Sequence, residues 1–197
     1  MTTHDTATDH PTARTVTDVL QPRNVLLVGM TGIGAAAGGW SGIPWGLLAA
    51  LCAGLIPATY IEWERKRGTW GDRHVVDRAK RTPIFFVILG SIGIGSLIMV
   101  MGNAPAGILV AMLALWLMTI GLLAVNNAGR WKISVDSAVA SAVPAILACV
   151  HSSWWLLAYA LTVAVCWSRV ALAYHTIAQT AAGAALGAAT TVPFLVA

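Results

Sequence analysis

Apolar residues fill most of the chain after residue 23, in long runs separated by short polar or glycine-rich breaks. None of these runs alternates apolar and polar residues as a barrel strand does, so each is expected to form a helix. A helix needs about 20 apolar residues to cross a bilayer, and most of the runs approach that length. The runs cover residues 24–40, 42–63, 83–101, 105–125, 133–150, 154–169 and 175–197.

This pattern predicts an all-α integral membrane protein, built as a bundle of six to seven transmembrane helices. Seven is the number of apolar runs, and six is the alternative if the first two form a re-entrant hairpin. Two pairs of glycines four residues apart, Gly34 with Gly38 and Gly183 with Gly187, have the spacing that lets helices approach closely.

Two regions differ in character. Residues 1–23 are polar and lack an apolar core, and we expect them to form a mobile N-terminal tail. Residues 24–197 are expected to form a single transmembrane helical domain. The whole chain is 57% hydrophobic and only 10% charged, whereas soluble domains are about a quarter charged. A water-soluble globule is therefore excluded, and the three cysteines lack the spacing of a zinc site.

The charges of a seven-span chain all fall on one side of the membrane. That side holds the tail and three candidate active-site loops, around residues 64–83, 126–137 and 167–180, and it carries all twelve Lys and Arg residues. The positive-inside rule places such a side in the cytoplasm. We therefore expect the N-terminus and the functional residues to face the cytoplasm.

Cationic residues in these loops point to a phosphate-bearing ligand. Arg binds phosphate through two hydrogen bonds, and polar groups at membrane depth are costly and usually functional. Taken alone, Arg169 is better explained as a snorkelling side chain, and His175 as an interhelical hydrogen-bonding residue. Because Lys132, Ser134 and Arg81 fall on the same side, the phosphate site is the favoured interpretation.

The third loop resembles the last signature of the type 2 phosphatidic acid phosphatase superfamily, which is Ser-Arg, five residues, His, three residues, Asp. Ser168, Arg169 and His175 match this signature in identity and spacing, and Gln179 stands in place of its Asp. The resemblance covers roughly residues 60–190. The amino-acid sequences around the second and third signatures are similar to those of an actinobacterial branch of the superfamily. The resemblance therefore implies a bacterial cytoplasmic membrane protein.

The two earlier signatures match less fully. The middle signature is Pro-Ser-Gly-His, and here Ser134 is kept while Asp136 replaces the His. The first signature is Lys, six residues, then Arg-Pro. Here His74 replaces the Lys, Arg81 is kept, and the proline comes one position late, at Pro83.

The resemblance implies a metal-free phosphatase that acts on a lipid phosphate, with no nucleic acid among its partners. His175 would be the nucleophile, Arg81 and Arg169 would clamp the phosphate, and Ser134 would donate a hydrogen bond. Asp136 and Gln179 would occupy the positions of the general acid and of the acid that orients the nucleophile. The remaining phosphate-binding candidates are His74, Lys132 and Ser168.

The departures from the family pattern leave three functions open. An aspartate is normally ionised at neutral pH, so Asp136 is a poor general acid. A prenyl diphosphate suits such a site, because its leaving group is a phosphate monoester that needs little protonation. Alternatively, Asp136, Asp72 and Asp77 hold Mg²⁺ and the site ionises an allylic diphosphate, as in a terpene cyclase or prenyl transferase. The third possibility is a catalytically inactive protein that binds a lipid phosphate.

Overall fold

The structure, a computed structural model, describes residues 10–67, 82–129 and 131–195. This described part is almost entirely helical and contains no strand. Short 3₁₀ segments lie at Gly39–Gly42, Ser153–Ala158 and Ala189–Leu195, and a π-helical turn, Leu51–Leu55, joins the third helix to the fourth. The helices are α1 (Pro11–Val19), α2 (Pro22–Gly38), α3 (Ile43–Ala50), α4 (Ile56–Lys66), α5 (Thr82–Met101), α6 (Ala106–Asn127), α7 (Val135–Val150), α8 (Tyr159–Ala171) and α9 (Ile177–Ala188).

Helix α7 is the centre of the bundle. Every residue from 137 to 147 is buried, and α2, α6, α8 and α9 all pack against this helix. Small residues fill much of this stretch, which lets the neighbouring helices lie close to its backbone. A helix that is buried on all sides forms the core of the fold rather than one of its faces.

Glycines set the closest helix contact, between α7 and α9. A Cβ atom at Gly183 would overlap the carbonyl oxygen of Ser134, and one at Gly187 would overlap that of Ala138. The close packing predicted from the spacing of these two glycines is therefore confirmed. The later glycine of α9 meets the later residue of α7, so the two helices run parallel and begin at the same end of the bundle.

Helices α2 and α3 form a tight hairpin within one continuous helical run, Pro22–Lys66. The run reverses at Gly39, whose φ of +60° suits a glycine. A Cβ atom at Gly34 would overlap the carbonyl oxygen of Gly42, and one at Gly46 would overlap that of Met30. The first two apolar runs of the sequence therefore pack directly against each other.

Four helical runs in the described part are long and apolar enough to cross a membrane: Pro22–Lys66, Thr82–Met101, Ala106–Asn127 and Ser153–Ala171. Large apolar side chains stand exposed along them, including Phe86, Ile94 and Leu97 on α5, each about 60% exposed. Such faces suit contact with lipid and are unusual on a soluble monomer. The all-α class is confirmed for the described residues, and the four runs are consistent with a membrane protein, although they do not confirm the expected six to seven spans.

The helix directions gather the candidate loops at one end of the bundle. The Thr162 hydroxyl donates to the carbonyl oxygen of Ala140 at 2.7 Å, within an antiparallel pairing of α8 with α7. The end of α8 therefore lies beside the start of α7. Since α9 begins at that end too, Asp136, Arg169 and His175 lie together; we call this the site end.

The N-terminal segment is more ordered than its polar sequence suggests. We expected a mobile tail through residue 23, but residues 11–19 form α1, which packs on α8 with Ala13 and Thr17 buried. The Thr17 hydroxyl donates to the Ser168 hydroxyl at 3.2 Å. Small apolar or hydroxyl groups four residues apart give α1 a packing face, which explains the difference. Residues 1–9 lie outside the described part.

Helix packing at Gly187 provides a test of this core. We expect Gly187→Ala to lower the thermal unfolding temperature in detergent, because its methyl group meets the backbone of α7. Gly90→Ala is the matched control, since nothing lies within 4 Å of the new methyl group and alanine favours a helix by about 1 kcal/mol over glycine. Equal unfolding temperatures for the two variants would contradict this packing.

Candidate functional site

A cavity of about 490 Å³ opens at the site end. Its walls come from the junction of α1 with α2, from α4 and α5, and from the segments around the start of α7 and the end of α8. One part of the lining is apolar and includes Leu26, Pro57, Ile61, Ile84, Phe85 and Val135. The other part is polar and consists of Thr17, Asp18, Gln21, Arg23, Glu62, Lys132, Asp136, Arg169, Tyr174 and His175.

Arg169 is the most buried charged residue of this cavity. It lies in the last turn of α8 with 1% of its surface exposed. One guanidinium nitrogen, Nη2, pairs with the Asp136 carboxylate at 2.8 Å. Within the described part of the chain, Nε and Nη1 have no hydrogen-bond acceptor. Unsatisfied buried donors are costly. An anionic ligand that accepted hydrogen bonds from Nε and Nη1 would remove that cost.

Asp136 is held by a charge partner and by a helix end. It lies in the first turn of α7, where the positive end of the helix dipole favours a carboxylate. Ser134 caps this helix, and its hydroxyl accepts a hydrogen bond from the Ser137 N–H at 3.2 Å. The Asp136 side chain is 17% exposed, so its carboxylate reaches the cavity while neutralising Arg169.

His175 is positioned by the sharp connection between α8 and α9. The N–H groups of Tyr174 and His175 both donate to the carbonyl oxygen of Arg169, at 3.0 and 3.2 Å. Ala173 takes a positive φ of 55° to make this turn. The buried imidazole therefore lines the same cavity as the Arg169 guanidinium.

Lys132 adds a further cation to the wall. Its ammonium group donates to the carbonyl oxygen of Tyr174 at 3.3 Å, which ties the segment before α7 to the connection that carries His175. Arg169, His175 and Lys132, all predicted from the sequence, are thus brought together at one cavity together with Asp136.

Gln179 caps its own helix. Its side-chain oxygen accepts from the Thr176 N–H at 3.0 Å, and its N–H donates to the Thr176 hydroxyl at 3.3 Å. Its carbonyl oxygen accepts from the Ser134 N–H at 3.1 Å. The sequence predicted that this side chain orients His175. In the structure the side chain caps the start of α9, and the backbone carbonyl group holds that start beside α7.

Ser134 and Ser168 are fully buried and do not line the cavity. The Ser134 hydroxyl accepts from Ser137 in the cap of α7. The Ser168 hydroxyl donates to the carbonyl oxygen of Val165 at 2.9 Å and accepts from Thr17. Both serines were predicted to bind phosphate, and both make packing bonds between or within helices instead.

Four predicted site residues lie outside the described part of the chain, namely Asp72, His74, Asp77 and Arg81. Among the residues that are described, no three His, Cys, Asp or Glu side chains are grouped to hold a metal ion. The magnesium site predicted from Asp136, Asp72 and Asp77 therefore stays a prediction.

The cavity also contains residues that sequence reasoning missed. Asp18, Gln21 and Arg23 come from the segment expected to be a mobile tail, and Glu62 comes from the last turns of α4. The available signal was the spacing of Ala13 and Thr17, which marks a helix with one small, packable face. That signal is weak because neither residue is strongly apolar.

No family model matches the chain, and neither the curated proteins nor the solved structures include a match. The resemblance to the phosphatase superfamily therefore stays a prediction that depends on the three signatures.

The pairing of Arg169 with Asp136 predicts a large stability effect. Removing one partner of a buried ion pair costs on the order of 3 kcal/mol, so we expect Asp136→Asn to unfold well below the wild-type temperature in detergent. Asp18→Asn is the matched control, because that carboxylate lines the same cavity but is exposed. Thermal melts that coincide for the two variants would show that Asp136 does not stabilise Arg169.

Proposed function

We propose that this chain is a membrane enzyme that hydrolyses an isoprenoid diphosphate or a related lipid phosphate. The observation that carries the proposal is the buried Arg169, which lines the cavity together with His175 and has two donors without a partner in the described part of the chain. The apolar part of the lining suits a hydrocarbon chain, and the cationic part suits its phosphate. A ligand with both parts is an amphipathic phosphate ester.

The binding geometry follows from the hydrogen bonds of Arg169. Asp136 occupies Nη2, so a phosphate oxygen would bind at Nε and Nη1. Lys132 and the N-termini of α7 and α9 lie at the same end of the bundle, and helix N-termini favour anions. The ligand phosphate would then lie against His175.

In the proposed reaction, a ring nitrogen of His175 attacks the terminal phosphorus atom and the P–O bond to the leaving group breaks. Water then hydrolyses the phosphohistidine, releasing orthophosphate and restoring the imidazole. Arg169 stabilises the charge on the transferring phosphoryl group. Asp136 is paired with Arg169 and the proposed reaction uses no general acid, which favours a diphosphate, because prenyl monophosphate leaves without protonation.

A second candidate function is the ionisation of an allylic diphosphate assisted by Mg²⁺. The observation in its favour is that the Asp136 carboxylate, one member of the predicted magnesium site, lines the cavity. This reaction breaks the C–O bond and releases pyrophosphate. It would use Asp136 with Asp72 and Asp77, since carboxylates are the ligands that Mg²⁺ prefers. A third candidate is a protein that binds the lipid phosphate without turnover.

For the membrane arrangement we propose seven spans. Besides α5, α6 and α7, they are α2, residues 43–66, residues 153–171 and residues 177–195. The support is the alternation of helix directions and the gathering of cationic residues at the site end. We propose a bacterial cytoplasmic membrane, with the N-terminus and the cavity facing the cytoplasm.

A product assay tests the chemistry. Purified protein in detergent is given farnesyl diphosphate, with Mg²⁺ or with a chelator, and orthophosphate, pyrophosphate and volatile products are measured together. We expect orthophosphate with or without metal, and at least a hundredfold loss in His175→Ala, because proton-transfer and nucleophilic groups contribute factors of about 10²–10⁴. His151→Ala is the matched control, since His151 is exposed at the far end.

Other products would identify the other candidates. Pyrophosphate with a hydrocarbon or terpene alcohol, formed only with Mg²⁺, would establish the ionisation reaction. Full orthophosphate release by His175→Ala would exclude the phosphohistidine. Binding of farnesyl diphosphate without any product would support the inactive lipid-phosphate binder.

Cysteine labelling tests the proposed orientation. In a background where Cys52, Cys149 and Cys166 are replaced by alanine, a membrane-impermeant maleimide should label Ser153→Cys in intact cells. Arg67→Cys should react only after the cells are permeabilised, because α4 ends at the site end. Labelling of Arg67→Cys from outside intact cells would reverse the orientation.

A further inference from the structure

The junction between α1 and α2 is a built wall of the cavity. The Gln21 amide donates to the carbonyl oxygen of Asp18 at 2.6 Å, and the Asn24 amide donates to that of Val19 at 3.0 Å. These bonds satisfy the last carbonyl groups of α1 where α2 begins at Pro22. The bond from Thr17 to Ser168 attaches the wall to α8, at the residue before Arg169.

Arg23 is the cation that this wall presents to the cavity. It lies in the first turn of α2, with an exposed side chain that lines the cavity. Its Cα atom is close to Gly54, where a Cβ atom would lie 3.6 Å away. The first turn of α2 therefore lies against the turn that joins α3 to α4.

Arg23 differs from Arg169 and Arg65, which also lie near the cavity, in having no charge partner among the residues that the structure describes. Arg169 pairs with Asp136, and Arg65 pairs with Glu62. Within the described part of the chain, Arg23 makes neither a hydrogen bond nor an ion pair. Its positive charge is therefore available to a ligand, whereas the charge of Arg169 is already paired with the Asp136 carboxylate.

The order of groups along α2 indicates which part of a ligand Arg23 meets. Leu26 lies one helical turn further along α2 and is part of the apolar lining, together with Phe85. Arg169 and His175 come from α8 and the connection after it. Along α2, Arg23 therefore marks the change from the polar mouth of the cavity to its apolar wall.

We propose that Arg23 binds the phosphate attached to the hydrocarbon chain of a diphosphate ester and makes the site specific for diphosphates over monophosphates. The inference rests on the proposed function and deepens it. As a ring nitrogen of His175 bonds to the terminal phosphorus, the bridging P–O bond breaks and its electron pair stays on the departing prenyl monophosphate. Arg23 neutralises that developing charge, so the leaving group departs without a general acid.

The kinetic test compares two substrates and three variants. We expect Arg23→Gln to lower kcat/KM for farnesyl diphosphate about tenfold or more, because a hydrogen bond between charged groups is lost. The kcat/KM for farnesyl monophosphate should fall by a smaller factor, since its single phosphate lies at His175. Arg23→Lys should recover part of the loss by keeping the charge. Arg14→Gln is the matched control, because Arg14 is an exposed cation of the same segment that does not line the cavity.

A binding measurement separates this inference from the proposed function. Titration calorimetry with inorganic pyrophosphate, orthophosphate and farnesyl diphosphate needs no turnover. Tighter binding of pyrophosphate than of orthophosphate, reduced about tenfold in Arg23→Gln, would support the role of Arg23 even if no product forms. A second supporting result is a wild-type protein that binds farnesyl diphosphate but not pyrophosphate, with Arg23→Gln weakening the binding of farnesyl diphosphate about tenfold. This result would assign the role of Arg23 to the lipid diphosphate alone.

Two results would overturn the inference. One is a wild-type protein that binds pyrophosphate and farnesyl diphosphate no better than their monophosphate counterparts. The other is an Arg23→Gln variant that loses diphosphates and monophosphates equally, or loses neither. Because Arg23 is exposed and makes no bond that the fold needs, the variant is expected to fold, and its melting temperature checks this.

Discussion

The burial of the Arg169 guanidinium is the constraint on which the site end depends. A charge with 1% exposure among apolar helices costs several kcal/mol unless a partner compensates it. Asp136 supplies the opposite charge, and the carbonyl end of α8 favours a cation in its last turn. The carbonyl oxygen of Arg169 also accepts the two N–H groups that turn the chain toward His175. Its side chain and backbone thus hold the start of α7 and the approach to α9 in place.

The same ion pair limits the chemistry that the cavity supports. The Asp136 carboxylate is engaged as the charge partner of Arg169. It leaves Nε and Nη1 as the donors for a ligand, and it removes part of the positive charge that a phosphate would otherwise meet. A substrate whose leaving group needs no proton fits these limits. Arg23, which has no charge partner within the described part of the chain, supplies a further positive charge on the cavity wall. This connection between pairing and chemistry is why we favour a diphosphate over a simple phosphate ester.

Of the site residues predicted from the sequence, the charged ones line the cavity, whereas the described hydroxyl and amide ones bond to nearby helix ends. Lys132, Asp136, Arg169 and His175 stand out because ionisable groups are rare in apolar helices, and all four line the cavity. Gln179 and Ser168 share the same motif but form hydrogen bonds that cap or join helices. A short polar side chain bonds equally well to a ligand or to a nearby backbone group, and motif spacing does not distinguish these two outcomes.

The sequence by itself determined the class of the protein. Long apolar runs with few charges require helices in an apolar environment, because only helices satisfy their own backbone groups there. The positions of Gly183 and Gly187 also determined where two helices approach each other. Only the tertiary structure decided that residues of the 17–23 segment form a wall of the cavity and that Arg23 lines the same space as His175. Arg23 and His175 are distant in sequence, and the segment before Arg23 is polar, so no apolar pattern predicts that they share a cavity. Their shared position depends on helix directions and on one hydrogen bond between Thr17 and Ser168.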